Sequence, residues 1–190
     1  MTFWTSQYQE NSMDPKRNFR WIVEFSALSS DVDGSFLWYA KKCGKPNFTV
    51  TEAKHSYLNH TFYWPARVEW QKIEITLVDP VKPHAAGQLN KLIEGMGYTI
   101  PGKAAGISSD SDHLSSMSKG GAKVAMGTIT ITQFDGTGTN PLEKWTLVNP
   151  FITSVKYGDL DYESDEITEY TLELRYDYAQ CDLKGGSPNA

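Results

Sequence analysis

The acidic run Asp159-Leu160-Asp161-Tyr162-Glu163-Ser164-Asp165-Glu166 is the densest set of ligand-forming side chains in the sequence. A helix-loop-helix calcium loop needs acids at fixed odd positions and a central glycine for its sharp turn. Here Gly158 precedes the acids and strand-like sequence flanks them, so the spacing fits a solvated turn or a deliberately negative surface better than a cation site. His55, His60, His84 and His113 are scattered, with no pair at a metal-ligand spacing and a third ligand nearby, and neither Cys43 nor Cys181 has a C-x-x-C partner. No serine lies in a G-x-S-x-G elbow. Gly120-Gly121-Ala122-Lys123 follows no strand and fails the spacing of a phosphate loop. Nothing singles out two carboxylates as a glycosidase pair, and the six tryptophans form no sugar-binding row. These residues predict no enzyme, no cofactor and no metal site.

The elements around the run must therefore be read for assembly. From Thr168 to Tyr178 the sequence alternates strictly: Tyr170, Leu172, Leu174, Tyr176 and Tyr178 share one parity, and Glu169, Thr171, Glu173, Arg175 and Asp177 the other. That is an antiparallel strand with one face buried and one wet. An aromatic content of 13% and plentiful turn residues suit an all-β domain, and 190 residues suit one domain with a real core. A net charge of -5 argues against gripping nucleic acid through its phosphates, which needs a lysine and arginine surface. Two cysteines are too few to prescribe a disulfide framework, and such thin usage fits a reducing compartment. The first residues show no basic stretch followed by an apolar run, and no segment has the length of a membrane-spanning helix, so a soluble protein made inside a cell is expected.

Along the chain, residues 1–16 read as an amino-terminal arm, 17–180 as a single β domain and 181–190 as a flexible tail. A first strand covers Phe19 to Ala27, a turn follows at Asp31-Val32-Asp33-Gly34, and a second strand runs from Phe36 to Lys41. Residues 47–64 read as a long hairpin with Leu58-Asn59-His60 at its tip and Pro65 ending the return strand. Val68 to Val78 changes parity partway, which predicts a bulge near Gln71-Lys72. One helix is predicted at about His84 to Glu94, stopped by Gly95 and Gly97. Residues 99–122, rich in Gly, Ser and Ala, read as a long loop. Three strands close the domain: Val124 to Phe134 with a bulge at Gly127, Leu142 to Val148 continued by Phe151 to Tyr157, and Thr168 to Tyr178. The fold class is mainly β, an antiparallel sandwich or partly open barrel with one α-helix. The hairpin aromatics Tyr57, Phe62, Tyr63 and Trp64 read as an interface rather than as cross-strand packing alone, since a hairpin this apolar otherwise stands exposed.

Taken in order, Phe134-Asp135-Gly136, Trp145-Thr146-Leu147-Val148-Asn149-Pro150, Leu160-Asp161-Tyr162 and Glu166-Ile167 with the final strand resemble the tail tube proteins of contractile-tailed bacteriophages. Arg17-Asn18-Phe19-Arg20-Trp21-Ile22-Val23-Glu24-Phe25 is similar to that family's first strand. The stretch from Thr51 to Trp70, and Leu77-Val78-Asp79-Pro80, resemble its hairpin region and the strand end that follows.

The resemblance implies a two-sheet sandwich assembled as homohexameric rings, stacked into a tube inside a contractile sheath in the virion tail and put together in the host bacterial cytoplasm. The implied partners are further copies of the chain and the sheath, tape-measure and baseplate or terminator proteins. DNA would transit the lumen without specific binding, and the chain would insert in no membrane. Tyr57, Asn59, His60, Phe62, Tyr63 and Trp64 become candidates for contacts between subunits or rings. Trp145, Leu147, Asn149, Pro150, Leu160 and Tyr162 become core or seam. Asp159, Asp161, Glu163, Asp165, Glu166, Glu169, Glu173 and Asp177 become candidates for a negative lumen wall that repels phosphates. The long glycine-serine loop and the substantial arm depart from the family pattern and leave open a tube initiator or baseplate-proximal paralogue. The inner tube of another contractile injection system is a further alternative, and a carbohydrate-binding β-sandwich is the alternative of a different class.

Overall fold

A computed structural model describes residues 16–26, 40–81, 85–98, 116–163 and 165–183. Among the described residues, ten strands and two helices follow in the order β1 Trp21–Phe25, β2 Ala40–Cys43, β3 Phe48–Tyr57, β4 His60–Trp70, β5 Ile73–Val78, α1 Ala85–Gly95, α2 Lys119–Met126, β6 Ile129–Phe134, β7 Pro141–Val148, β8 Phe151–Lys156, β9 Glu169–Arg175 and β10 Tyr178–Leu183. The fold is mainly β and antiparallel, as the sequence predicts. Residues 1–15 of the expected arm, 184–190 of the tail, the turn at 31–34, the first part of the expected second strand and 99–115 of the expected loop lie outside the described residues.

Two four-stranded sheets carry the body, one in the order β1-β6-β7-β10 and the other β2-β5-β9-β8, while β3 and β4 form a separate two-stranded ribbon. Alternation drives the layering. Ile73, Ile75 and Leu77 of β5 and Tyr170, Leu172 and Leu174 of β9 pair in register and are buried together. They belong to one core cluster with Val23 and Phe25 of β1, Ile129 and Ile131 of β6 and Leu147 of β7. Fully burying one such side chain is worth about 2 kcal/mol, so this layer is the main source of stability.

The opposite faces form rows. On the first sheet, Glu24–Thr130–Thr146–Gln180 and Ile22–Thr132–Lys144–Asp182 run straight across the four strands. On the second, one row is Lys42–Thr76–Thr171–Lys156.

The structure corrects several expected boundaries, mostly for one reason: a change of parity marks the chain crossing to another layer. The expected strand from Val68 to Val78 is two strands, since β4 ends at Trp70 and β5 begins at Ile73 in another sheet. Pro65 does not end the hairpin's return strand. It sits opposite Glu52 beside a register shift, where a two-stranded ribbon tolerates a residue without an N–H. Phe151 to Lys156 is no continuation of β7, because the chain turns at Asn149-Pro150 and β8 joins the second sheet. Likewise Tyr178 leaves β9 to begin β10, which pairs with β7 through Leu183, so Cys181 to Leu183 belong to a strand and not to a tail.

A second helix replaces the last part of the expected loop and the start of the expected β6. Ser118 caps α2 by accepting a 3.0 Å hydrogen bond from the Gly121 N–H, and Ala122 and Met126 are its buried positions. Gly127, with φ 59°, ends the helix and is not a strand bulge. A Cβ on Gly121 would lie 2.9 Å from the Met96 carbonyl oxygen, so glycine there lets α2 close on the end of α1.

Candidate assembly surfaces

The β3–β4 ribbon is exposed along almost its whole length, and its sequence explains why it holds its shape without a core of its own. Phe48 packs edge-on against Trp70 at 5.2 Å between ring centres, and Trp70 in turn meets Tyr176 of the body at 5.9 Å, which fixes the root. Farther out, Ala53 faces Trp64, His55 faces Phe62 and Tyr57 faces His60. Side chains alternate, so these six share one face. Ring contacts follow that face: His60 to Phe62 at 4.6 Å, Phe62 to Trp64 at 6.2 Å and His55 to Trp64 at 6.4 Å. Lys54 with Tyr63 and Ser56 with Thr61 occupy the other face, the last two joined by a 3.1 Å hydroxyl–hydroxyl hydrogen bond. Leu58 closes the tip at φ 52°, an unfavourable conformation for leucine, and is 86% exposed. All six expected contact residues, Tyr57, Asn59, His60, Phe62, Tyr63 and Trp64, are exposed, and Trp64 keeps half its surface in water. Tyr63 is divided from Phe62 and Trp64 by the alternation, so the ribbon offers two surfaces.

The eight expected acidic-surface residues lie in the β8–β9 connection, on β9 and just before β10. Asp159, Asp161, Glu163, Asp165 and Glu166 are exposed in the β8–β9 connection, where Asp161 Oδ1 accepts the Glu163 N–H at 3.0 Å. Glu169, Glu173 and Asp177 are ion-paired. Glu169 binds Lys41, Glu173 binds Lys72 at 2.9 Å, and Asp177 binds Lys119 at 2.7 Å. The pairing moves the titration of three groups: the hydrogen bond to Glu169 raises the Lys41 ammonium, hydrogen bonds from Lys72 and Thr153 lower Glu173, and those from Lys119 and Asn149 lower Asp177. These outward carboxylates therefore present little free negative charge.

Of the motif residues expected as core or seam, Leu147 and Pro150 are fully buried, and Trp145 is packed against the core. Asn149 takes φ 51°, a conformation asparagine tolerates, and donates from Nδ2 to Asp177 at 2.8 Å, which fixes the corner between the sheets. Leu160 and Tyr162 are not core: Leu160 is 90% exposed and Tyr162 entirely so.

Sequence reasoning missed Glu143. It sits on the inward parity of β7 beside Trp145 and Leu147, where an acid demands a partner. Lys16 reaches it at 2.6 Å and Lys45 at 3.1 Å, while the Trp145 indole N–H donates to the same carboxylate. Burial pushes the carboxyl up, but the hydrogen bonds from Lys16, Trp145 and Lys45 outweigh it and hold it at about 2. The parity of Leu142–Val148 was the available signal. Both thiols are free, and burial pushes the half-buried Cys43 up to about 12. Among the described residues no three His, Cys, Asp or Glu converge on a metal position, and no helix is long and apolar enough to cross a membrane.

Residues 110–180 match the model of the T4-like virus tail tube protein gp19 family. No curated protein matches the chain in sequence. Among solved structures, the fold is similar to a chain of the PVC extracellular contractile injection system sheath/tube terminator in its extended state (16% identity, 91% of this chain and 100% of that one, TM-score 0.60). It is likewise similar to chains of that system's sheath-tube complex (17% identity, 95% and 100%, TM-score 0.58) and of the anti-feeding prophage baseplate (14%, 90% and 97%, TM-score 0.58). The matched family is one of structural tube proteins, and the reading of this chain as structural and not enzymatic rests on that match. The resemblance to tail tube proteins thus holds in sequence over residues 110–180, and the fold is shared over nine-tenths of the chain with chains of contractile injection assemblies.

Proposed function

We propose that the chain is the repeating subunit of an inner tail tube: six copies form a ring, rings stack, and DNA passes through the lumen during ejection without being bound. The observation that carries this reading is the β3–β4 ribbon, which exposes Tyr57, Leu58, Phe62, Tyr63 and Trp64 on a body that shares its fold with tube and terminator chains. Large apolar side chains held in water on a preformed arm are stabilised by a partner surface. The anti-feeding prophage baseplate is six-fold symmetrised, which supports six as the ring number. Stacking one ring on the next is a head-to-tail contact that does not close, and such contacts build filaments. Sheath, tape-measure, baseplate and terminator proteins are the expected neighbours. Electron microscopy of the purified protein at high concentration tests the proposal. Six-fold rings or tubes are expected; strict monomers, even with sheath or baseplate proteins added, would refute it.

A further inference from the structure

The ribbon face that carries Ala53, His55, Tyr57, His60, Phe62 and Trp64 sets two imidazoles into an aromatic surface. His60 stands opposite Tyr57 and 4.6 Å from the Phe62 ring, while His55 stands opposite Phe62 and 6.4 Å from the Trp64 ring. Each imidazole therefore lies between large apolar side chains. A partner surface that covers Tyr57, Phe62 and Trp64 must cover His55 and His60 with them. Both are exposed in the free chain, and among the described residues neither forms an ion pair or a hydrogen bond.

Histidine is the side chain that ordinarily changes charge within about pH 5 to 8. A charged imidazolium must give up its water when the face is covered, and burying a charge without a counter-ion is costly. The ribbon supplies no counter-ion on that face. Among the described residues β3 and β4 pair only with each other, and the body meets them at the root, where Trp70 packs on Tyr176. The other titratable groups of the two strands are Glu52, Lys54, Tyr57, Tyr63, Arg67 and Glu69. Tyr57 shares the face, Lys54 and Tyr63 occupy the opposite one, and Glu52 alternates onto the side of Lys54. Arg67 and Glu69 lie toward the root, beyond the register shift. One interaction works the other way, since the electrons of the Phe62 ring favour a cation at His60. That contact is internal to the ribbon and present before and after docking, so it cancels from the assembly equilibrium. The lost hydration does not cancel.

We propose, resting on the ring reading above, that His55 and His60 form a proton-operated switch on assembly: the aromatic face docks with both imidazoles neutral, and a fall in pH holds subunits apart. Docking then releases a proton from each imidazole that was charged. The sign follows from linkage. The state that binds fewer protons is favoured as pH rises, by up to about tenfold per pH unit for each proton released. Across the histidine range, from about pH 7.5 to about pH 6.0, two such groups change the concentration needed for assembly by roughly tenfold.

Sedimentation of tubes, checked by microscopy, gives the lowest concentration at which the full chain assembles, read at about pH 7.5 and about pH 6.0 at equal ionic strength. The native chain is expected to need roughly tenfold more protein at the lower pH. H55Q/H60Q is expected to need nearly the same amount at both, and H55Q and H60Q alone each to retain about half of the logarithmic difference. Equal native values overturn the proposal and leave the ring reading standing, as does a native-sized difference in H55Q/H60Q or in both single variants. Easier assembly at the lower pH, which a carboxylate facing the imidazoles from the partner would produce, overturns it too. Absence of tubes from the native chain at both pH values overturns the ring reading and the switch together.

Discussion

Replacing Glu143 by glutamine isolates one buried charge and gives a stability effect whose pH dependence is set by the structure. Glutamine keeps the size and the acceptor for the Trp145 indole N–H but removes the charge that Lys16 and Lys45 neutralise. The carboxyl titrates at about 2 in the fold against the ordinary glutamate value of 4.5. At ~1.4 kcal/mol per pH unit the difference is worth roughly 3 kcal/mol. Both lysines are half exposed, so solvent screening reduces this to about 2 kcal/mol. Because the folded value lies below the unfolded one, the contribution is fully present above about pH 4.5 and is lost as pH falls toward about 2. Urea unfolding of both proteins between pH 7 and pH 3, followed by tryptophan fluorescence, reads it directly. The native protein should exceed E143Q by about 2 kcal/mol at pH 7, with the gap narrowing below pH 4.5. A gap that stays constant across that range, or equal stability at pH 7, would refute the argument.

Gly158→Ala sets a Cβ 2.7 Å from the Glu169 carbonyl oxygen at φ 75° and should cost about 2 kcal/mol or more, seen as a lowered Tm. Asn149→Ala removes both the tolerance of positive φ and the hydrogen bond to Asp177, and chemical denaturation should show a loss of about 2 kcal/mol. Trp64→Asp should leave the circular dichroism and unfolding midpoint of the monomer unchanged within ~0.5 kcal/mol, since the residue contributes to no core, while abolishing tubes in the microscope. Normal tube formation by that variant would show that its ring contacts are purely internal to the ribbon. The same substitution at Tyr63 reports on the other face and separates the two surfaces.

The apolar alternation of β5 and β9 and the turn-rich, aromatic composition made the sandwich legible, because burial on one face leaves a period-two record. What the pattern could not distinguish was a bulge from a change of layer. Trp70 to Ile73 and Ala125 to Ile129 each break parity, yet one is a crossing between sheets and the other a helix end, and only tertiary packing decides. Helix α2 was hidden by Gly120 and Gly121, both poor helix formers, of which Gly121 lies where the end of α1 comes close, although Ser118 with Ala122 and Met126 was a faint signal. The hairpin aromatics were readable as an interface because a hairpin this apolar otherwise stands exposed. Leu160 and Tyr162 were read as core or seam from the family motif, and apolar residues between acids look the same in sequence whether they face inward or outward. The neutralisation of Glu169, Glu173 and Asp177 was invisible, since Lys41, Lys72 and Lys119 lie 58 to 128 residues away.

The exposed ribbon has a further consequence for how the free subunit ages. Among the described residues its strands pair only with each other, and its side chains farther out than Trp70 contribute nothing to the core, so it can open without disturbing the body. Lys54 and Arg67 lie on it in full view of solvent and mark where a trypsin-like protease would clip an open arm. Once a partner covers the aromatic faces, that opening carries the cost of the whole contact. Digestion at these two positions therefore works as a clock for incorporation: fast in unassembled chains, slow in the finished structure, and readable without any label.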